Sequence, residues 1–175
     1  AEQNLNFPLF IKFLKTKKNE FKKLHYQNYL VKNKYKPIAI AEDNIFHFQY
    51  PETKEYLNEL GILSLPWNIS KDEEIPKEAH SLIIPGGFPE KYADQLSYSK
   101  KSLNSLRKFY KKGFIYAECG GMMLLGDSIV NKKGEIFKMA GILPFSSREG
   151  NLSVGYRYIK GYKNSPLIKK NQIIR

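Results

Sequence analysis

Phe114-Ile115-Tyr116-Ala117-Glu118-Cys119-Gly120-Gly121-Met122-Met123-Leu124-Leu125 decides the fold. Its first four residues form an apolar and aromatic run with the composition of a buried strand. Its last four begin a helix. Between them, Cys119 is followed at once by two glycines. A strand that turns sharply into a helix carries the residue at its tip on a strained elbow, and glycines beside the tip remove side chains that would collide with both elements. A helix start also offers positive potential that favours a thiolate, and unpaired N–H groups that can meet an oxyanion. Free cysteines are often buried and inert, but this setting points to a nucleophile at Cys119.

Upstream, the chain alternates between strands and helices. Ile38-Ala39-Ile40-Ala41 is a short apolar run after Pro37, read as a buried parallel strand. Pro51 opens a helix over 52–60, with acids near its start and Gly61 just past its end. Ile62-Leu63-Ser64-Leu65 is expected as the second strand and Ser81-Leu82-Ile83-Ile84 as the third. A helix is expected over 102–112, with Leu103, Leu106 and Phe109 or Tyr110 on one face and Gly113 closing it. The alternation predicts an α/β domain with a mainly parallel sheet and helices on both faces. The tail over 128–162 is richer in Gly, β-branched and aromatic residues, and hairpins are expected there.

The third strand runs into Pro85-Gly86-Gly87-Phe88-Pro89-Glu90. In open α/β sheets ligands bind outside the carboxyl ends of the strands. Gly87, with Gly86, is therefore the expected source of one oxyanion donor, and Gly120 of the other. A thiolate nucleophile works with a base, usually histidine. His25 lies in the N-terminal stretch, and His80 precedes a strand at the end away from the elbow. His47 is at the correct edge but sits between Phe46 and Phe48. None is placed as the base by the sequence.

The 175 residues suit one domain with a short appendage. Residues 7–30 place Phe10, Phe13, Leu14, Phe21 and Leu24 near helical spacing with Lys between them, read as a helix that packs on a neighbouring domain. The boundary is placed before Pro37, giving an appendage over 1–36 and a domain over 37–175. The net charge is +12, from 29 basic and 17 acidic residues. The basic residues are mostly scattered Lys, and no helix-turn-helix, zinc-finger or RNP pattern accompanies them, so a solvated exterior is favoured over a nucleic-acid surface. No apolar run is long enough to cross a bilayer, the start lacks the features of a signal peptide, and no metal-ligand spacing is present. One cysteine excludes an intrachain disulfide and suits a reducing compartment, read as the cytoplasm.

Three segments together resemble a known family: Phe46-His47-Phe48-Gln49-Tyr50-Pro51-Glu52, the Pro85–Glu90 loop and the Cys119 elbow. In this order they look like the amidotransferase domain of the cobyrinic acid a,c-diamide synthase family, with Asp43 and Gly155-Tyr156-Arg157 also fitting. The resemblance covers about 37–175 and implies a class I, flavodoxin-like glutamine amidotransferase fold. It implies that Cys119 attacks glutamine to give a thioester, that Gly87 and Gly120 line the oxyanion hole, and that ammonia passes to a synthetase domain. There ATP and magnesium activate the a and c carboxylates of cobyrinic acid, a corrinoid of cobalamin biosynthesis, for amidation. No P-loop occurs in this chain, so no cofactor is expected on it. Residues 1–36 are expected to be the tail of the synthetase domain and its linker. The family's catalytic histidine motif is expected after Arg175, so the 175 residues alone are expected to hydrolyse little glutamine. Two alternatives stay open: amidation of another tetrapyrrole such as nickel sirohydrochlorin, or a non-catalytic module of the same fold.

Overall fold

The computed structural model describes residues 35–151, 155–165 and 167–174. The helix expected over 7–30, and His25 with it, lie outside the described residues. Four parallel strands form the central sheet in the order β2-β1-β3-β4: β1 (Ile38–Ala41), β2 (Ser64–Trp67), β3 (Ser81–Ile84) and β4 (Phe114–Ala117). Helix α1 (Pro51–Glu59) connects β1 to β2, while α2 (Ala93–Tyr98) and α3 (Lys100–Tyr110) connect β3 to β4. The two crossovers run in opposite directions along the sheet. Since parallel crossovers are right-handed, α1 and the α2–α3 pair belong on opposite faces. The strand order also reverses between β1 and β3, so their carboxyl ends diverge into a crevice.

One sheet face carries the core. Ala39, Ala41, Leu82 and Ile84 are fully buried at alternate strand positions, and they share a cluster with Trp67, Leu96, Leu103, Leu106 and Leu124. The other face carries the cross-strand row Ile40, Ile83 and Tyr116, fixed by the register.

Two elements differ in their bounds from the sequence expectation. The second strand starts at Ser64 rather than Ile62. Gly61 takes φ +71, its N–H donates to Asn58, and the Ile62 N–H donates to Leu57. These are the two bonds of a Schellman motif, so Ile62 finishes α1 before the strand begins. Pro66 is tolerated in β2 because this is an edge strand, where a missing donor costs no ladder bond. The 102–112 helix is α3 over Lys100–Tyr110. Its start is anchored from a distance: the Ser102 N–H donates to the Asp72 carboxylate at 2.9 Å and the Ser102 hydroxyl to the Glu73 carbonyl at 2.6 Å.

After β4 comes α4 (Gly120–Leu125), then β5 (Ser128–Val130), β6 (Ile136–Lys138) and β7 (Ser146–Arg148). The expected hairpin is β5–β6, turning through Asn131 and Gly134. By contrast, β7 pairs with β5 in parallel, which requires a crossover rather than a tight turn. That crossover also satisfies the end of α4. The N–H of Ala140 donates to Leu124, and those of Ile142 and Leu143 donate to Leu125. A short antiparallel pair, β8 (Ile159–Lys160) and β9 (Ile173–Ile174), lies beyond. No helix among the described residues is long and apolar enough to cross a membrane.

Candidate functional site

The carboxyl ends of β1, β3 and β4 bring three loops together, and Cys119 stands among them. It is the N-cap of α4 with φ 48 and ψ −117, a left-handed backbone that a side chain rarely adopts. This is the strained elbow that the strand–Cys–Gly–Gly–helix pattern predicts, and the thiol is exposed rather than sealed in the core.

The glycine loop after β3 packs directly on this elbow. A β-carbon on Gly120 would lie 2.6 Å from Cδ of Pro89 and 2.7 Å from the Gly87 carbonyl oxygen. A β-carbon on Gly87 would collide with the Ile45 carbonyl. Gly86 lies between the thiol and the aromatic loop: its missing β-carbon would be 3.3 Å from Cβ of Cys119 and 3.0 Å from Cδ2 of Phe48. The Gly86 carbonyl accepts from the Phe48 N–H at 3.1 Å. Because the peptide is trans, the Gly87 N–H of the same unit points the opposite way, away from Phe48. Among the described residues, no hydrogen bond uses the backbone N–H of Gly87 or Gly120. The structure therefore brings all four expected residues, Cys119, Gly86, Gly87 and Gly120, to one place, with two amides unspent beside the thiol.

Asp43 fixes the loops around them. One carboxylate oxygen accepts the N–H groups of Ile45 at 2.8 Å and Phe46 at 3.1 Å. The other accepts those of Ile69 at 3.2 Å and Ser70 at 3.1 Å. One side chain thus joins the loop after β1 to the loop after β2, which sets the position of Ile45 behind Gly87. The aromatic loop continues as an exposed cluster. The ring centroids of His47 and Phe48 are 4.7 Å apart and those of Phe48 and Phe88 are 5.1 Å apart, and Nζ of Lys91 lies 4.6 Å from the Phe88 ring.

The histidines stand as follows. His47 is exposed, and its Nδ1 lies 3.1 Å from the Asn44 carbonyl. His80 precedes β3 at the amino end of the strands, opposite Cys119, where its backbone N–H donates to Pro37 and its Nδ1 lies 3.0 Å from the Glu78 carbonyl. Neither imidazole is hydrogen-bonded to Cys119.

Sequence reasoning missed a cavity beside the elbow. It measures about 260 Å³ and lies over the Ile40–Ile83–Tyr116 row, walled by Phe48, Tyr50 and Glu118. Cys119 adjoins this cavity without lining it. The Tyr116 hydroxyl donates to the Glu118 carboxylate at 3.2 Å. Burial first, and then the Glu118 charge, hold the Tyr116 hydroxyl above the usual phenol range. Strand alternation was the available signal, since Tyr116 and Glu118 are two apart and share a side. Among the described residues no three His, Cys, Asp or Glu side chains gather as metal ligands, and none forms a phosphate-binding P-loop.

Comparison with known proteins places this chain in a family. The model of the CobB/CobQ-like glutamine amidotransferase domain matches residues 37–166. The cobyrinate a,c-diamide synthase of Synechocystis sp. is 33% identical over 159 residues, covering 90% of this chain and 33% of that protein. The synthase of Fusobacterium nucleatum is 39% identical over 122 residues, 68% of this chain and 27% of that protein. The synthase of Salmonella typhimurium is 33% identical over 141 residues, 79% of this chain and 30% of that protein. The chain spans about a third of the length of these curated relatives.

Proposed function

Because the chain belongs to the CobB/CobQ-like glutamine amidotransferase family, we propose that it is the glutamine-hydrolysing part of an ATP-dependent amidoligase that amidates the a and c carboxylates of cobyrinic acid. The observation that carries the glutaminase reading is the exposed Cys119 thiol at φ 48, with the unspent Gly87 and Gly120 amides beside it. The corrinoid substrate rests on the named relatives.

In this reading the Cys119 thiolate adds to the side-chain amide carbon of glutamine. The carbonyl oxygen becomes an oxyanion, held by the N–H groups of Gly87 and Gly120. The amide nitrogen takes a proton and leaves as ammonia, so the C–N bond breaks and a thioester on Sγ remains. Water adds to the thioester, and glutamate leaves as the thiol is restored. A positioned pair of donors is worth most where charge develops; losing one costs roughly 3–4 kcal/mol of barrier. The base that moves these protons is assigned to a histidine, the usual partner of a thiolate nucleophile. ATP and magnesium are assigned to a synthetase part.

The test is glutamine hydrolysis by the full-length protein, with glutamate and ammonia measured in parallel. Equal release of both, abolished by Cys119→Ser, supports the reading. No release, with the thiol intact, would favour a non-catalytic module.

A further inference from the structure

The cavity beside Cys119 holds chemistry that the hydrolysis steps leave unused. Its nitrogen donors are engaged by the protein itself. The Lys54 ammonium pairs with Glu42 at 2.8 Å. The Gln49 amide nitrogen donates to the carbonyls of Ala41 at 3.1 Å and Phe46 at 3.2 Å. What stays open is the Gln49 side-chain oxygen and the Glu118 carboxylate, which only accept, and the Thr53 and Tyr50 hydroxyls, which can accept as well as donate. Among the described residues, Glu118 is hydrogen-bonded to the Tyr116 hydroxyl and has no ion pair. The walls beside it are the rings of Phe48, Tyr50 and Tyr116, whose faces attract a cation. Acceptors on aromatic walls, with the resident ammonium tied off, suit a small alkylammonium group.

The cavity is also within reach of the thiol. Glu118 immediately precedes Cys119, and Phe48 and Cys119 flank the same residue, Gly86, at 3.0 and 3.3 Å from its missing β-carbon. The amino nitrogen and amide carbon of glutamine are four bonds apart, roughly 5 Å when extended.

We propose that Glu118 holds the α-ammonium group of glutamine in this cavity while the amide end lies at Cys119, making Glu118 the residue that selects an amino acid over a simple amide. Tyr116 positions the carboxylate through its hydroxyl. This inference rests on the glutaminase reading above.

The test measures how glutamine and its des-amino analogue glutaramate protect Cys119 from alkylation by iodoacetamide, read by mass spectrometry. Each rate is taken relative to the unliganded rate of the same variant. In the unaltered protein, glutamine protects at lower concentration than glutaramate. In Glu118→Gln the concentration of glutamine needed rises roughly tenfold to a hundredfold, the loss of a charge-assisted hydrogen bond, while that of glutaramate is unchanged. Tyr116→Phe shifts glutamine protection in the same direction by less, and carries the test if Glu118→Gln does not fold. If both variants keep the original ratio of the two ligands, or lose protection by both alike, the inference is overturned and the glutaminase reading stands. If neither ligand protects the unaltered protein, the glutaminase reading fails and this inference falls with it.

Discussion

Gly120 meets the carbonyl of Gly87 so closely that a β-carbon on Gly120 would stand 2.7 Å from that oxygen. The glycine loop after β3 and the elbow after β4 are therefore one packed unit, and the position of the thiol depends on both. A Gly120→Ala change must push the loop away or distort the elbow. We expect glutamine hydrolysis to fall by roughly 10²–10³-fold, the scale of a lost oxyanion donor, with a stability loss of about 1–3 kcal/mol from overpacking. Denaturant unfolding beside a glutaminase assay checks both.

Gly87→Ala should be worse for folding than Gly120→Ala. Its β-carbon meets a backbone carbonyl, that of Ile45, and Ile45 is itself buried and held through Asp43. That overlap is deeper than the one a β-carbon on Gly120 makes with the Gly87 carbonyl. Lower soluble yield and a lower unfolding midpoint than Gly120→Ala are the expected results.

Asp43→Ala should destabilise the chain by about 2–3 kcal/mol. Four N–H groups, from Ile45, Phe46, Ile69 and Ser70, lose their shared acceptor. Bonds to a charged group are each worth about 1.5–3 kcal/mol, non-additively, because water replaces part of what is lost. Asp43→Asn, which keeps one acceptor oxygen, should recover part of the stability. Chemical denaturation curves of the two variants read this directly.

Tyr116 predicts a pH dependence at the alkaline end. Its hydroxyl is held above the usual phenol range by burial and by Glu118. The folded chain therefore keeps this proton to higher pH than the unfolded chain does. That contribution to stability is complete below the ordinary phenol value near pH 10, and is lost as pH rises through the raised folded value. Unfolding free energy measured from pH 9 upward should fall less steeply in Tyr116→Phe than in the unaltered protein.

Much of this site could be read from the sequence because the relevant signals are local. The apolar runs at Ile38–Ala41, Ser81–Ile84 and Phe114–Ala117 gave strand bounds that the structure reproduces. The Cys119-Gly120-Gly121 turn announces itself through glycines that no packed side chain could replace. What was not legible depends on long-range contacts. Asp72 anchors the start of α3 from a residue 30 positions away. Asp43 joins two loops separated by 26 and 27 residues. The two-residue shift of β2 follows from Ile62 serving the end of α1, a choice between a helix cap and a strand that composition does not reveal. The parallel pairing of β7 with β5 was likewise hidden, because neighbouring β-rich segments more often form hairpins.

The most direct measurement is covalent trapping of the nucleophile. The full-length protein is treated with an electrophilic glutamine analogue and digested, and the modified peptide is identified by mass spectrometry. One adduct is expected, on Sγ of Cys119, slowed by free glutamine and absent in Cys119→Ser. An adduct on another residue, or labelling of Cys119 that glutamine does not slow, would contradict it.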